Sequence, residues 1–415
     1  MAQSISQVDV VASEFFETTI QSTNFRLPYF SNKNIAVTNG AVTKIIIVVH
    51  GTNRNADDYF ETMEDALFQR ADLIDQTIII APQFLTEEDV EAFNLDRDYP
   101  YWSSDGWKVG ANSKNSESNP RDARIPSYEL LDSLILSLSR TFTSVDELVF
   151  TGHSAGGQLT NRYTASTPLI STLCADYGIN TKSIIANPGS YVYMSPMRRE
   201  GESSEFTVPT NCSEYNEYSY GLEDLYTYHR RVGSDNMKIM YAQREVIYLF
   251  GSLDNDPDAS TLPRSCRAML QGAHRLERGL NYYDHIIDTY GKEIKSRHRM
   301  EIIDRVGHNN YNMYNHPTGL KHLFDEAPIS SCDQTTSILE ISSNLIRVYP
   351  NPTRGIIQVE EGTSVKSLTL YDLNGSIIGS TDKREMHVGE LAAGLYVLSI
   401  ESNGQQHSHR IVISR

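Results

Sequence analysis

Long apolar runs are missing from this sequence. The longest, Ile45 to Val49 and Ile78 to Pro82, fall far short of the roughly 20 residues that a membrane-spanning helix needs. Basic charge is also scarce: Lys+Arg is 36 against Asp+Glu 53, a formal charge of −17. An acidic surface repels phosphate backbones and anionic bilayers, so nucleic acid and anionic membranes are excluded as expected partners. Cysteine is limited to Cys174, Cys212, Cys266 and Cys332. None lies in a C-x-x-C or Cys/His spacing, so no metal site is expected from them. Four cysteines fit two disulfides or four buried thiols equally well. The opening Met1-Ala2-Gln3-Ser4 has neither a basic n-region nor an apolar h-region. That fits a cytosolic protein or a mature chain whose signal has been removed.

What is present points to a folded, divided chain. With 39% hydrophobic and 21% charged residues over 415 positions, a packed core is expected, in two or three units. β-Branched runs recur at Lys44–Val49, Thr77–Ala81, Glu147–Thr151, Ser183–Ala186, Val246–Phe250 and Met300–Asp304. Near-continuous Ile/Val, without alternation, indicates strands buried on both faces of a parallel sheet. Helical patterns lie between them at Ala56–Ala71, Ser127–Arg140, Ala155–Thr164 and Cys266–Tyr290. The expected fold is α/β, a doubly wound and mostly parallel sheet. Two long segments interrupt it: Phe84–Pro126, with Trp102 and Trp107, and the tyrosine-rich Pro188–Tyr241. Insertions of this length serve as lids or binding walls when ordered.

After Phe324 the texture changes. Residues 326–343 are small and polar, a linker composition that divides residues 1–325 from residues 344–415. The last segment reads as short strands between turn residues such as Asn351-Pro352 and Asn403-Gly404, a small all-β sandwich.

Gly152-His153-Ser154-Ala155-Gly156 follows one strand and opens a helix. That is the context in which G-x-S-x-G makes a strained turn and lifts the serine hydroxyl above the sheet. Ser154 is the candidate nucleophile. A serine needs a base, and His308, just after the final strand of the large unit, is placed to supply it. The orienting acid belongs after Val246–Phe250, where Gly251-Ser252-Leu253-Asp254-Asn255-Asp256-Pro257-Asp258 offers three acids. The spacing favours Asp254, with Asp256 second, and a calcium loop is the weaker reading. The chain order Ser154, Asp254, His308 suits this geometry. Oxyanion donors are expected from the backbone N–H of Ala155 and from the loop His50-Gly51-Thr52-Asn53, at Thr52 or else Asn53. His50 and His153 read as structural parts of their loops. Trp102, Trp107 and Tyr191 are candidates for a substrate wall, with plain packing as the competing account.

With these residues in view, residues 20–325 resemble the α/β-hydrolase superfamily. They are similar to a secreted bacterial and fungal subgroup with HGTxRNAxxY after one strand, GHSAGG at the elbow, Asn187 to Tyr191, and Gln271-Gly272-x-x-Arg275-x-x-Arg278-Gly279. Residues 344–415 resemble the C-terminal sorting domain of the type IX secretion system of Bacteroidetes. They carry Val348-Tyr349-Pro350-Asn351-Pro352, Leu370-Tyr371-Asp372-Leu373-Asn374-Gly375 and Leu391-Ala392-Ala393-Gly394-Leu395-Tyr396. The candidate triad and the first resemblance imply a cofactor-free serine hydrolase of carboxylic esters, and the candidate wall of Trp102, Trp107 and the tyrosine-rich insertion suits an aryl, sugar or polymer ester. A peptidase or amidase, and a non-catalytic surface module, are the alternatives. The second implies a partner in the secretion machinery, a removed signal peptide and an extracellular or cell-surface address. Export in turn implies paired cysteines, with Cys212–Cys266 the favoured pair.

Overall fold

The structure is a computed structural model that describes residues 6–199, 205–329, 332, 348–359, 365–372, 377–402 and 405–414. The chain divides into two compact units, Met1–Leu339 and Glu340–Arg415.

The first unit is built on one sheet of eight strands. In chain order these are β1 (Glu14–Ile20), β2 (Thr23–Ser31), β3 (Lys44–Val49), β4 (Thr77–Pro82), β5 (Glu147–His153), β6 (Asn180–Ala186), β7 (Glu245–Gly251) and β8 (His298–Ile303). Their spatial order is β1-β2-β4-β3-β5-β6-β7-β8. β1 and β2 pair antiparallel, β2 meets β4 antiparallel, and every later pairing is parallel. This is the mostly parallel α/β sheet that the sequence leads one to expect. β3, β4, β5 and β7 are buried along their whole length, the physical reason for their unbroken apolar texture.

Alternate residues of one strand feed opposite cores. Ile45, Ile47 and Val49 join Leu130, Leu134 and Leu138 on one face. Ile46 and Val48 join Met63, Leu67, Tyr314 and Leu323 on the other. The helices that frame the candidate site are α1 (Ala56–Phe68), α2 (Glu87–Ala92), α3 (Ser127–Thr141), α4 (Ala155–Ser166) and α5 (Arg275–Tyr290). α3 shows why helices form here: Leu130, Leu131, Leu134, Ile135 and Leu138 recur at helical spacing and are all buried.

Three expectations need correcting. The β1–β2 hairpin lay outside the strand pattern, because only one side of it is buried. The helix expected over Cys266–Tyr290 is two helices, Cys266–Met269 and α5, since the chain turns at Gly272 with φ 141° and restarts from the N-cap His274. The tyrosine-rich insertion is core rather than lid. Asn161 on α4 donates to the hydroxyls of Tyr241 and Tyr282 at 3.0 and 3.1 Å, and Tyr191 stacks on Tyr282 at 4.3 Å. A helix as buried as α4 must satisfy its polar side chains internally, and Tyr241 at the end of the insertion, together with Tyr282 of α5, does that.

The second unit is all-β. Strands β9 (Val348–Tyr349), β10 (Ile356–Val359) and β13 (Glu385–His387) form one antiparallel sheet. Strands β11 (Ser367–Tyr371), β12 (Ile377–Thr381), β14 (Gly394–Ser402) and β15 (Gln405–Ile413) form another. Ile357 and Val359 of the first share a core with Leu368, Leu398 and Ile411 of the second, the packing of a sandwich. Most of the expected linker lies outside the described residues. Its described beginning is tied down: Glu326 pairs with Arg299 and Lys321, and Ile329 N–H donates to Glu245. Among the described residues no helix is long and apolar enough to cross a membrane.

Two disulfides join Cys174 to Cys332 and Cys212 to Cys266. The second closes a separation of 54 residues, worth about 4 kcal/mol in chain entropy. A C212S/C266S variant is expected to melt several degrees lower, read by calorimetry, and an unchanged melting temperature would refute that contribution.

Burial also sets the acid response. His50 and His298 are pushed down to about 4, and His229 to about 3, in each case chiefly by desolvation. The unfolded chain binds these protons near pH 6.5 while the native state refuses them, so stability falls as pH drops from about 6.5 toward 4. Buried Asp132, raised to about 6, acts in the opposite sense over part of that range, as do Glu147 and Glu64, also raised by burial, but His153, His285 and His322 are lowered by burial too and add to the first effect. The urea midpoint is expected to fall steadily between pH 7 and 4.5, and a flat profile would contradict neutral burial of the histidines.

Candidate active site

The turn between β5 and α4 sets the geometry. Ser154 has φ 59° and ψ −117°, a conformation that side-chain-bearing residues avoid and that persists only where surroundings enforce it. The surroundings are other backbones. A Cβ on Gly156 would lie 2.1 Å from the Val49 carbonyl oxygen, and one on Gly152 would lie 2.4 Å from the Gly156 backbone. Ser154 N–H donates to the Ala186 carbonyl at 3.0 Å. The serine is therefore held between the ends of β3 and β6, with its hydroxyl beyond the sheet.

His308 reaches that hydroxyl. Its Nε2 is 2.9 Å from Ser154 Oγ and its Nδ1 is 2.7 Å from Asp254 Oδ2. An ionised carboxylate can only accept, so Nδ1 carries the proton and Nε2 is free to accept from the serine. Asp254 is 4% exposed, whereas Asp256 and Asp258 are exposed. The two loops that carry the acid and the histidine are laced together. Ser252 N–H donates to the Ile303 carbonyl, Leu253 N–H to the Val306 carbonyl, and Arg305 N–H to Ser252 Oγ at 2.8 Å.

The loop after β3 lies over the same helix start. His50 is buried; its Nδ1 donates to the Gly51 carbonyl at 2.9 Å and its Nε2 accepts from Phe84 N–H at 3.0 Å. This fixes the peptide that leads into Thr52. Beyond it, Arg54 has φ 60° and its guanidinium grips Asp89 at 2.8 and 3.0 Å. Hydrogen bonds from Arg54 hold the Asp89 carboxyl below its usual range even though burial pushes it up. Asp89 in turn accepts from Thr86 N–H at the start of α2. Thr52 is half-buried and Asn53 exposed, and Ala155 is the first residue of α4. An N-terminal helix amide has no carbonyl one turn back to bond. A polar cleft of about 790 Å³ opens beside Thr52 and reaches Lys108 and Thr261.

The aromatic candidates stand elsewhere. Trp102, Trp107 and Tyr191 are 2%, 0% and 0% exposed. Trp107 lies 4.6 Å from the His50 ring and stacks on Phe84, and Trp102 Nε1 donates to the Ala111 carbonyl at 3.0 Å. Trp107 and Tyr191 are packed too closely to offer a face to a substrate, and Trp102 borders a separate cleft of about 300 Å³ with Tyr101 and Lys114.

Three residues that the motifs contain support the site through contacts that spacing did not reveal. Asn187, at φ 43°, accepts from Gly251 N–H at 2.9 Å and donates toward His153 Nε2 and the Gly307 carbonyl, both at 3.4 Å. His153 is driven well below its usual range by burial and by its neighbours His308 and Arg275, so it stays neutral 4.5 Å from the His308 ring. Arg275 lies 3.5 Å from the far oxygen of Asp254. Asn187 and Arg275 both stand inside motifs that carry the family resemblance, so spacing was the available signal; their contacts were not in it.

A methyl at position 156 must displace the Val49 and His50 backbone at the end of β3. Gly156→Ala is expected to cost about 3 kcal/mol or more and to lower soluble yield, measured by urea denaturation. A stable, fully active variant would refute the close approach.

Residues 347–414 match the family model described as a secretion system C-terminal sorting domain. No curated protein matches the chain. Among solved structures, poly(aspartic acid) hydrolase-1 from Sphingomonas sp. KT-1 is 21% identical with a TM-score of 0.48, over 75% of this chain and 98% of that one. A poly(3-hydroxybutyrate) depolymerase from Bordetella parapertussis is 18% identical with a TM-score of 0.47, over 78% and 93%. A siderophore hydrolase from Aspergillus nidulans is 13% identical with a TM-score of 0.37, over 79% and 100%. The chain joins a large unit with a mostly parallel eight-stranded sheet to a small unit whose residues 347–414 match the secretion system C-terminal sorting domain model.

Proposed function

We propose that this protein is an exported serine hydrolase of carboxylic esters. Ser154 is the nucleophile, His308 the general base, and Asp254 the acid that orients it. The observation that carries the reading is the unbroken chain Ser154 Oγ, His308 Nε2, His308 Nδ1, Asp254 Oδ2, at 2.9 and 2.7 Å. In the proposed cycle His308 takes the Ser154 proton as Oγ attacks the ester carbonyl. The N–H groups of Ala155 and Thr52 receive the oxyanion. The protonated histidine then gives its proton to the departing alcohol, leaving an acyl-serine, and water deprotonated by the same histidine releases the acid. The side chain of His308 is 27% exposed, which gives that water access. The cleft that adjoins Thr52 is not lined by the triad itself but by Asn53, Asn55, Asp57 and Lys108, among other polar groups; a substrate extending into it from Ser154 would be a hydrophilic sugar or polymer ester rather than a fatty acyl chain. The sorting domain and the two disulfides support export through type IX machinery to the cell surface or beyond.

Ser154→Ala is expected to lower kcat on p-nitrophenyl acetate by at least three orders of magnitude with an unchanged melting temperature. Labelling by a fluorophosphonate should occur at Ser154 and vanish in the variant. Asp254→Asn should cost far more activity than Asp256→Asn, because only the first touches the imidazole. Retained turnover in Ser154→Ala, or label at another residue, would overturn the assignment of the nucleophile, whereas wild-type protein that neither turns over ester nor takes the label would be a binding module.

A further inference from the structure

We infer that Arg275 is a positioning residue that sets the basicity of His308 through Asp254, an inference that rests on the proposed triad. The Asp254 carboxylate divides its oxygens: Oδ2 faces His308 Nδ1 at 2.7 Å, and Oδ1 faces Arg275 Nη1 at 3.5 Å. The other guanidinium nitrogen, Nη2, donates to Thr261 Oγ1 at 2.8 Å, and Thr261 lines the cleft beside Thr52. The main chain adds a third tie, since Leu276 N–H donates to the Asp254 carbonyl at 3.1 Å.

The placement is costly unless it does something. Arg275 is 3% exposed and opens helix α5, where the helix dipole disfavours a cation. A buried guanidinium with one carboxylate partner pays a large desolvation penalty. Its neighbour in the same motif, Arg278, acts differently, donating to the carbonyls of Gly272, Gly189 and Pro263. Arg278 braces loops; Arg275 addresses the acid.

The electrostatic consequence has a definite sign. The charged and titratable groups around His308 are Asp254 after β7, neutral His153 at the end of β5, Arg275 on α5, and exposed Asp256. On its own loop, Asp304 and Arg305 pair with each other at 3.3 Å. Of these, Arg275 alone offsets the Asp254 charge at short range. Removing its charge leaves the carboxylate more negative toward the imidazolium, so His308 becomes more basic. At neutral pH less of the histidine is then free to act as base.

The test is the pH profile of kcat/KM on p-nitrophenyl acetate, using the full chain. Arg275→Met and Arg275→Gln are expected to move the acidic limb upward by on the order of one pH unit, with kcat at pH 7 falling about threefold and KM little changed. Arg275→Lys should return the limb toward wild type. A purely structural role predicts the reverse, because a loosened Asp254 would release the imidazole and leave the limb unmoved or lower. An unmoved limb in a folded neutral variant, or a lysine variant no better than methionine, overturns the inference. So does failure of both neutral variants to fold, which would make Arg275 a stability residue. Ser154→Ala is the control: if it remains active the triad itself fails, whereas an inactive Ser154→Ala with an unmoved Arg275 limb sinks only this inference.

Discussion

The crowding of backbones around residues 152–157 is the constraint on which the rest of the first unit depends. Gly156 touches the carbonyls of Val49 and His50, and Gly157 would put a Cβ 2.5 Å from the Ala186 carbonyl. Three strand ends are thus locked to one helix start. The same contacts force Ser154 into its strained turn and bring the β3 loop, with Thr52, beside it. Fold and candidate chemistry share one cause here: strain at the serine is maintained by a sheet buried on both faces, which has no room to relax.

Around this point the protein uses its buried polar residues as rivets. His50 holds the Gly51 peptide, Arg54 and Asp89 hold the far end of that loop, and Asn187 links the loops carrying Asp254 and His308. Each of these groups is desolvated and satisfied, the condition under which polar networks rigidify a site. The order of His308 comes from neighbours that never touch a substrate.

The strands β3, β4, β5 and β7 were legible because their burial on both faces demands unbroken Ile and Val. The elbow was legible because its glycines and its place between a strand and a helix are both visible in one dimension. The β1–β2 hairpin was hidden by its half-exposed, mixed composition. The break near Gly272 was hidden because the apolar period resumes in α5 at once. Trp107 and Tyr191 misled for a related reason: an aromatic in a polar insertion looks available to a ligand, and only packing reveals that its faces are taken.

By itself, the amino-acid order determined the α/β class, the division into a large unit and a small β unit, and the local geometry at Ser154. Each of these depends on periodicity or on neighbours within a few residues. Spacing favoured Asp254 and the resemblance favoured Cys212–Cys266, but only tertiary structure excludes Asp256 from His308, pairs Cys174 with Cys332, and sets Arg275 behind the acid. Those outcomes depend on where loops far apart in the chain come to rest, and the burial of Asp254 at 4% exposure is a property of the assembled loops that no local spacing encodes.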